Sequence, residues 1–259
     1  MPRFAANLTL LFREYAFLER FGAAARAGFQ GVECLFPYAW PAPELAARLR
    51  DAGLSQVLFN APAGDWDAGE RGIACMPGRQ DEFRRGLERA LEYAEALECP
   101  RVHCLAGIPP AELESQQAWD TLAENLRWAA RQLGRAGRRL LVEPINSRVD
   151  MPGYLLDDVA RARDLVRQLD EPNVRLQFDL YHVGVMEGDP EPWLRQLLPM
   201  IDHVQCADYP GRHEPGTGQL PLAQCFRLLD EKGYSGWVGA EYHPLGSTSE
   251  GLGWWPGAK

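Results

Sequence analysis

Eight short β-rich runs recur along the chain, and longer helical stretches separate them. The runs are Phe4–Leu8, Gly31–Phe36, Gln56–Asn60, Arg101–Leu105, Leu140–Ile145, Arg175–Asp179, His203–Cys206 and Trp237–Tyr242. Over 259 residues this gives roughly 32 residues per unit, the length of one βα repeat. Amphipathic stretches lie between them, at Tyr15–Ala27, Glu44–Ala52, Arg79–Leu97, Gln117–Ala136, Leu156–Leu169, Glu191–Leu198 and Leu222–Lys232. In the third, Phe83, Leu87, Ala90, Leu91, Ala94 and Leu97 fall at helical spacings with charges between them. Glycine follows several of these stretches, as in Ala27-Gly28 and Lys232-Gly233, which is a C-cap signal.

Strands that alternate with helices form a parallel sheet, and eight such units predict closure into a (β/α)₈ barrel of the α/β class. An open, doubly wound sheet would carry a glycine-rich phosphate loop after its first strand. Here that strand runs into Thr9-Leu10-Leu11-Phe12-Arg13, so the barrel is preferred. No low-complexity linker interrupts the chain, and residues 1–259 are expected to form one domain.

Charge narrows the range of functions. Asp and Glu number 36 against 27 Lys and Arg, a net charge of −9. Binding to nucleic-acid backbones rests on a basic surplus, and no basic cluster here exceeds a short pair such as Arg138–Arg139 at a helix end. Nucleic acid is therefore not an expected partner. The six cysteines form no C-x-x-C pair, and four of them, in apolar strand-like or helix-like runs, read as buried free thiols. The N-terminus lacks a basic stretch followed by an apolar one, and no apolar run is long enough to span a membrane. A cytoplasmic protein is expected.

In a closed barrel the C-terminal strand ends converge, and polar residues there are candidates for chemistry. The last four strands end in oxygen donors: Glu143 in Leu-Val-Glu-Pro-Ile-Asn, Asp179 in Gln-Phe-Asp-Leu-Tyr-His, Gln205 in His-Val-Gln-Cys-Ala-Asp, and Glu241 in Gly-Ala-Glu-Tyr-His. Such an oxygen cage suits Mg²⁺ or Mn²⁺ better than zinc, which favours histidine and cysteine. Singly, each acid is equally well read as a paired structural carboxylate. Four consecutive strand ends with the same chemistry are harder to explain that way. Without a cation, three carboxylates at one mouth would repel one another.

At this point the chain resembles the hydroxypyruvate isomerase family of xylose-isomerase-like barrels, over almost its whole length. The motifs are Gly31-Val-Glu-Cys-Leu-Phe-Pro37, Asn60-Ala-Pro-Ala-Gly-Asp-Trp66, Gly69-Glu-Arg-Gly-Ile73, Leu105-Ala-Gly107, Glu143-Pro-Ile-Asn146, Asp179-Leu-Tyr-His182, Gly211-Arg-His-Glu-Pro-Gly-Thr-Gly218 and Gly236-Trp-Val-Gly-Ala-Glu-Tyr242. The resemblance implies an aldose–ketose type isomerisation of a small 2-oxo acid, as in hydroxypyruvate to tartronate semialdehyde. It also implies that Glu143 and Glu241 are the acid–base pair, and that Asp179 and Gln205 complete the metal site. Related epimerases carry histidine where Gln205 stands. The family pattern has lysine where this chain has His243, which makes His243 a candidate substrate contact.

Moving a carbonyl by one carbon removes a proton beside it and returns one to the neighbouring carbon, through an enediolate. His182, three residues past Asp179, is placed to donate to a substrate oxygen; its alternative is a histidine bonded within its own loop. A substrate carboxylate needs positive charge, for which Arg71, Arg212 and His213 are the loop candidates, Arg212 first. Glu70 is a further contact candidate, although Glu70 and Arg71 could simply pair with each other. Asn7, Glu33 and His103 stand near strand ends, and Trp66 is expected over the pocket. Gly216-Thr217-Gly218 is either a phosphate cradle or a Pro-Gly turn. Three readings remain: the isomerase, another enzyme on the same scaffold (a 2-oxo-tetronate isomerase, a sugar epimerase or an endonuclease-like phosphodiesterase), and a non-catalytic sugar-acid binder. A homodimer is left open.

Overall fold

The computed structural model describes residues 1–259. Eight parallel strands hydrogen-bond in sequence order and close into a barrel. They are β1 Arg3–Asn7, β2 Gly31–Cys34, β3 Ser55–Asn60, β4 Arg101–His103, β5 Arg139–Val142, β6 Val174–Asp179, β7 Ile201–Cys206 and β8 Trp237–Ala240. Closure is made by β1 against β8, with Ala5 opposite Gly239. Each predicted run is found as a strand, but five of them end earlier than their sequence suggests. The expected Leu140–Ile145 leaves the ladder after Val142, where Pro144 has no N–H to contribute. β8 stops at Ala240 for a different reason: Glu241 donates one last bond to the Cys206 carbonyl, 3.1 Å, and the chain then turns away. Glu143 and Glu241 are thereby the first residues beyond their strands.

The surrounding helices are α1 Phe17–Arg26, α2 Ala42–Ala52, α3 Gln80–Ala96, α4 Ser115–Arg135, α5 Val159–Leu169, α6 Leu180–Glu187, α7 Glu191–Leu197 and α8 Leu222–Glu231. Seven match predicted stretches. α5 starts three residues later than expected because Asp158 caps it, its carboxylate accepting from the Arg161 N–H at 2.7 Å. Removing that cap in Asp158→Ala should lower the unfolding free energy by about 1 kcal/mol, measurable by urea denaturation at constant slope.

α6 is the helix the sequence conceals. Its residues Leu180 to Val185 are all buried, so it has no polar stripe and no visible 3.6-residue period. Its N-cap is Asp179, whose Oδ1 accepts from the Tyr181 N–H at 2.9 Å. The last residue of β6 thus starts a helix directly at the mouth.

Most apolar burial lies between strands and helices, in a cluster of 73 residues, whereas the lumen holds a separate group of four, Ala5, Val57, Leu58 and Leu141. Above this small apolar floor the lumen is polar: Glu33, His103, Gln177, His203 and Gln205 are all buried. Gly239 makes room there, because a Cβ at that position would fall onto the Glu33 carboxylate. No helix is long and apolar enough to cross a membrane.

Candidate active site

A cavity of about 110 Å³ opens where β4, β5, β6 and β8 run out, lined among others by His103, Glu143, Gln177, His182, Arg212, Glu241 and His243. It is several-fold smaller than the roughly 300–1,000 Å³ that holds a drug-sized ligand. Trp66 lines one wall, as expected.

Glu241 is held from three sides. Asn7 Nδ2 donates to Oε2 at 2.9 Å, Arg212 Nη2 donates to Oε1 at 2.7 Å, and Gln205 Nε2 makes a short bond to Oε2. Burial nevertheless pushes its pKa up to about 8; Arg212 opposes the rise, while Glu33 and Asp179 add to it. Glu143 is raised well above the ordinary carboxylate range, first by burial and then by Glu241 and Asp179. His103 Nδ1 lies 3.8 Å from Glu143 Oε2, yet burial lowers the His103 pKa to about 3. A neutral ring cannot supply an ion pair; Nδ1 instead meets Asn60 Oδ1 at 3.1 Å.

Asp179 is fully buried, and its Oδ2 has no hydrogen-bond partner. That oxygen lies 3.6 Å from both His182 Nε2 and Arg212 Nη2. One ligand atom each of Glu143, Asp179 and His182 falls within 4.8 Å of the others, close enough to share a cation. Glu241 joins this group through Arg212, which contacts both acids. An unpartnered buried carboxylate oxygen facing a second acid is the environment that a divalent cation relieves, so the residues fit a metal.

The expected residues are placed unequally. Glu143, Glu241, His182, Arg212 and His243 line one cavity, and Asp179 stands directly behind it. Gln205 is present at the end of β7, but its Oε1 accepts from Gln177 at 2.6 Å and its amide N–H groups face Glu33 and Glu241. Two carboxylates on that side fix the amide as a donor, so ligation through oxygen needs a half-turn of the group. Glu70 and Arg71 do not line the cavity, nor do they pair with each other through their side chains. Glu70 forms its ion pair with Arg79, and Arg71 donates to the Trp66 carbonyl at 3.0 Å while its guanidinium lies 4.1 Å over the Trp66 ring. Arg71 thus reaches the pocket only through that tryptophan. His213 bonds the His243 carbonyl at 2.7 Å and is likewise outside the lining.

Of the remaining candidates, Glu33 lies 2.6 Å from His203 Nε2 and accepts from Asn7, so both polar groups belong to a buried network beneath Glu241. The Gly216–Gly218 loop turns its amides inward: Gly216 N–H and Leu220 N–H donate to Asp208 at 2.8 and 3.0 Å. It is a turn, not a cradle. Three residues carry weight in the geometry that no strand-end argument identified. Gln177 locks Gln205, Asp150 accepts from Arg212 at 3.0 Å, and Asn146 bonds both Asp150 and His182.

The family model described as xylose isomerase-like TIM barrel matches residues 21–257. A 2-oxo-tetronate isomerase of Cupriavidus necator is 47% identical over 98% of this chain and 97% of its own. The hydroxypyruvate isomerase of Escherichia coli K12 is 46% identical, covering 98% of each chain. Among solved structures, the AP endonuclease, family 2 from Brucella melitensis superposes with a TM-score of 0.95 at 48% identity over 98% of both chains.

Proposed function

Because the chain belongs to the xylose isomerase-like TIM barrel family, we propose that its mouth isomerises a small 2-oxo acid, interconverting hydroxypyruvate and tartronate semialdehyde. The observation that carries this reading is the pair of buried, raised carboxyls, Glu143 and Glu241, lining one small cavity. Environments that push carboxyls toward neutral pH suit them to give and take protons. A non-catalytic binder would have no use for two such groups.

The reaction moves one proton off C3 of hydroxypyruvate and adds one to C2, while the C3 hydroxyl gives up its proton and the C2 oxygen takes one. One glutamate takes the first proton as a base, and the other delivers the second as an acid. Interaction between the two carboxyls favours states in which one is ionised and the other is not, the starting condition for such a relay. Arg212 and the Nε2 side of His182 face the same space and are placed to bind substrate oxygens as charge develops. His243 completes the lining beside Arg212, in the position expected for a carboxylate contact, although burial and Arg212 lower its pKa and favour the neutral ring. Glu143, Asp179 and Glu241, with Gln205 after its half-turn, would hold Mg²⁺ or Mn²⁺, which when bound polarises the carbonyl and stabilises enediolate charge. The expected partner is the substrate, and the small cavity favours a three- or four-carbon acid.

The four-carbon 2-oxo-tetronate is a specific second reading, since the two isomerases above are almost equally identical to this chain. One extra hydroxymethylene group changes little in the pocket chemistry. The nuclease name carried by the Brucella protein finds less support, because a net charge of −9 and a cavity of about 110 Å³ do not suit a polyanionic duplex. Proton NMR of the purified protein in Mg²⁺ buffer with each acid in turn tests the proposal. Turnover of hydroxypyruvate is expected. Turnover of 2-oxo-tetronate alone would select the second reading, and turnover of neither would remove both.

A further inference from the structure

Asn146 has no exposed surface, and every polar atom of its side chain is committed. Its Oδ1 accepts from the backbone N–H groups of Val149 and Asp150, both at 3.0 Å. Its Nδ2 donates to Asp150 Oδ2 at 2.7 Å and faces His182 Nδ1 at 2.7 Å. Backbone amides can only donate, so the oxygen end of this side chain is fixed by two independent partners. Turning the amide over would put N–H against N–H and oxygen against a carboxylate. The end facing His182 is therefore a donor, and His182 Nδ1 must be an acceptor.

We infer that Asn146 is a positioning residue that holds His182 as the tautomer protonated on Nε2. This makes the imidazole a hydrogen-bond donor toward the cavity and keeps its lone pair away from the Glu143–Asp179 oxygen cage. The inference rests on the cavity being the reaction site, but its physical content is a tautomer. In a neutral imidazole the bond made by one ring nitrogen decides the state of the other. Nε2 lies 3.6 Å from Asp179 Oδ2, beyond hydrogen-bond reach, so its N–H is available to a ligand. The imidazolium is disfavoured by the same geometry, since it would set a second N–H against the Asn146 amide donor.

The consequence reaches the metal. Glu143, Asp179 and His182 are close enough to share an ion, and a histidine ligand would tilt the site toward zinc. With the proton on Nε2 there is no lone pair to offer. The cage is then made of oxygen only and selects for hard cations. Asn146 thus sets both what the histidine does to substrate and which metal the acids prefer.

Long-range ¹H–¹⁵N correlation spectra of uniformly labelled protein read the tautomer directly, with His182 assigned by the signals lost in His182→Gln. The wild type is expected to show protonated Nε2 and bare Nδ1 at neutral pH. In Asn146→Asp the new carboxylate accepts from Nδ1, so the pattern should invert. Calorimetric titration with Zn²⁺ and Mn²⁺ should then show the ratio of their affinities shifting toward zinc by about 10–100-fold. If that variant does not fold, Asn146→Asp/Asp150→Asn keeps the total charge and the 146–150 hydrogen bond with donor and acceptor exchanged. A wild-type His182 protonated on Nδ1, or an unaltered tautomer in the variants, overturns the inference. An inverted tautomer with an unaltered metal ratio overturns the argument about the cage. None of these readouts uses turnover, so failure of the isomerase reading would be seen separately.

Discussion

Glu143→Gln and Glu241→Gln are each expected to lower the turnover of hydroxypyruvate by about 10²–10⁴-fold, the usual contribution of a positioned acid or base. Glutamine preserves the shape of the side chain and removes its capacity to exchange a proton together with its negative charge. The structural cost differs between the two. Glu241 accepts from Asn7, Gln205 and Arg212, so a glutamine there sets one N–H₂ end against donors, a mismatch of about 1–3 kcal/mol. That is smaller than the roughly 5–15 kcal/mol by which native domains are stable, and Arg212 keeps its Asp150 partner. Both variants should therefore fold, as circular dichroism and gel filtration will show. Steady-state kinetics should place the loss in kcat. A variant with near-normal kcat would take that glutamate out of the relay.

Divalent cation should produce the second large effect, on stability. A ligand present at 100 times its dissociation constant adds about 2.7 kcal/mol to the folded state. At about 2–4 °C per kcal/mol for a chain of this size, the melting temperature should rise by about 5–10 °C. The gain should grow with pH, and the sign follows from the site. The folded-state pKa of Glu241 is raised to about 8 and that of Asp179 to about 6, above ordinary values of 4.5 and 3.8. Their protonated forms hold the fold together best below the unfolded values, and this contribution is lost as pH rises through the folded ones. His103 acts in the opposite direction: its folded pKa of about 3 means that the unfolded chain takes up a proton below about 6.5 and the fold does not. Chelated protein should thus melt highest in mildly acidic buffer and lose stability on both sides. Mn²⁺ should restore the alkaline side, where no proton competes for the carboxylates. Differential scanning fluorimetry at pH 6 and pH 8.5 compares the two gains; equal gains, or none, would mean that these acids do not hold the ion.

The barrel was legible because its grammar is local. β-rich runs, amphipathic helices and glycine stops such as Ala27-Gly28 follow one another often enough to count. α6 was not legible, because a helix buried on every side has lost the periodicity by which helices are recognised. The strand ends were overshot at Glu143 and Glu241, since an apolar run tells where a strand is and not where its last ladder bond falls. The two glutamates, His182 and Arg212 could be placed at the mouth from their neighbours in sequence. The orientation of Gln205 could not, since it is decided by Glu33 on a strand 172 residues away. Glu70 illustrates the same limit, as its partner is Arg79, not the adjacent Arg71. Asn146 stood in a recognisable Glu-Pro-Ile-Asn motif, but its meaning lies in which atoms it faces.

Two-base proton transfer makes a demand on the product that can be read in one spectrum. When the wild-type protein isomerises hydroxypyruvate in D₂O, the hydrogen delivered to C2 of tartronate semialdehyde should come from solvent through a glutamic acid, and ²H at C2 should approach one per molecule by NMR. Product formed in D₂O with protium at C2 would mean that the hydrogen taken from C3 was itself returned, by a direct shift or by one shielded base, and the paired glutamates would then not act as the separate base and acid of this reaction.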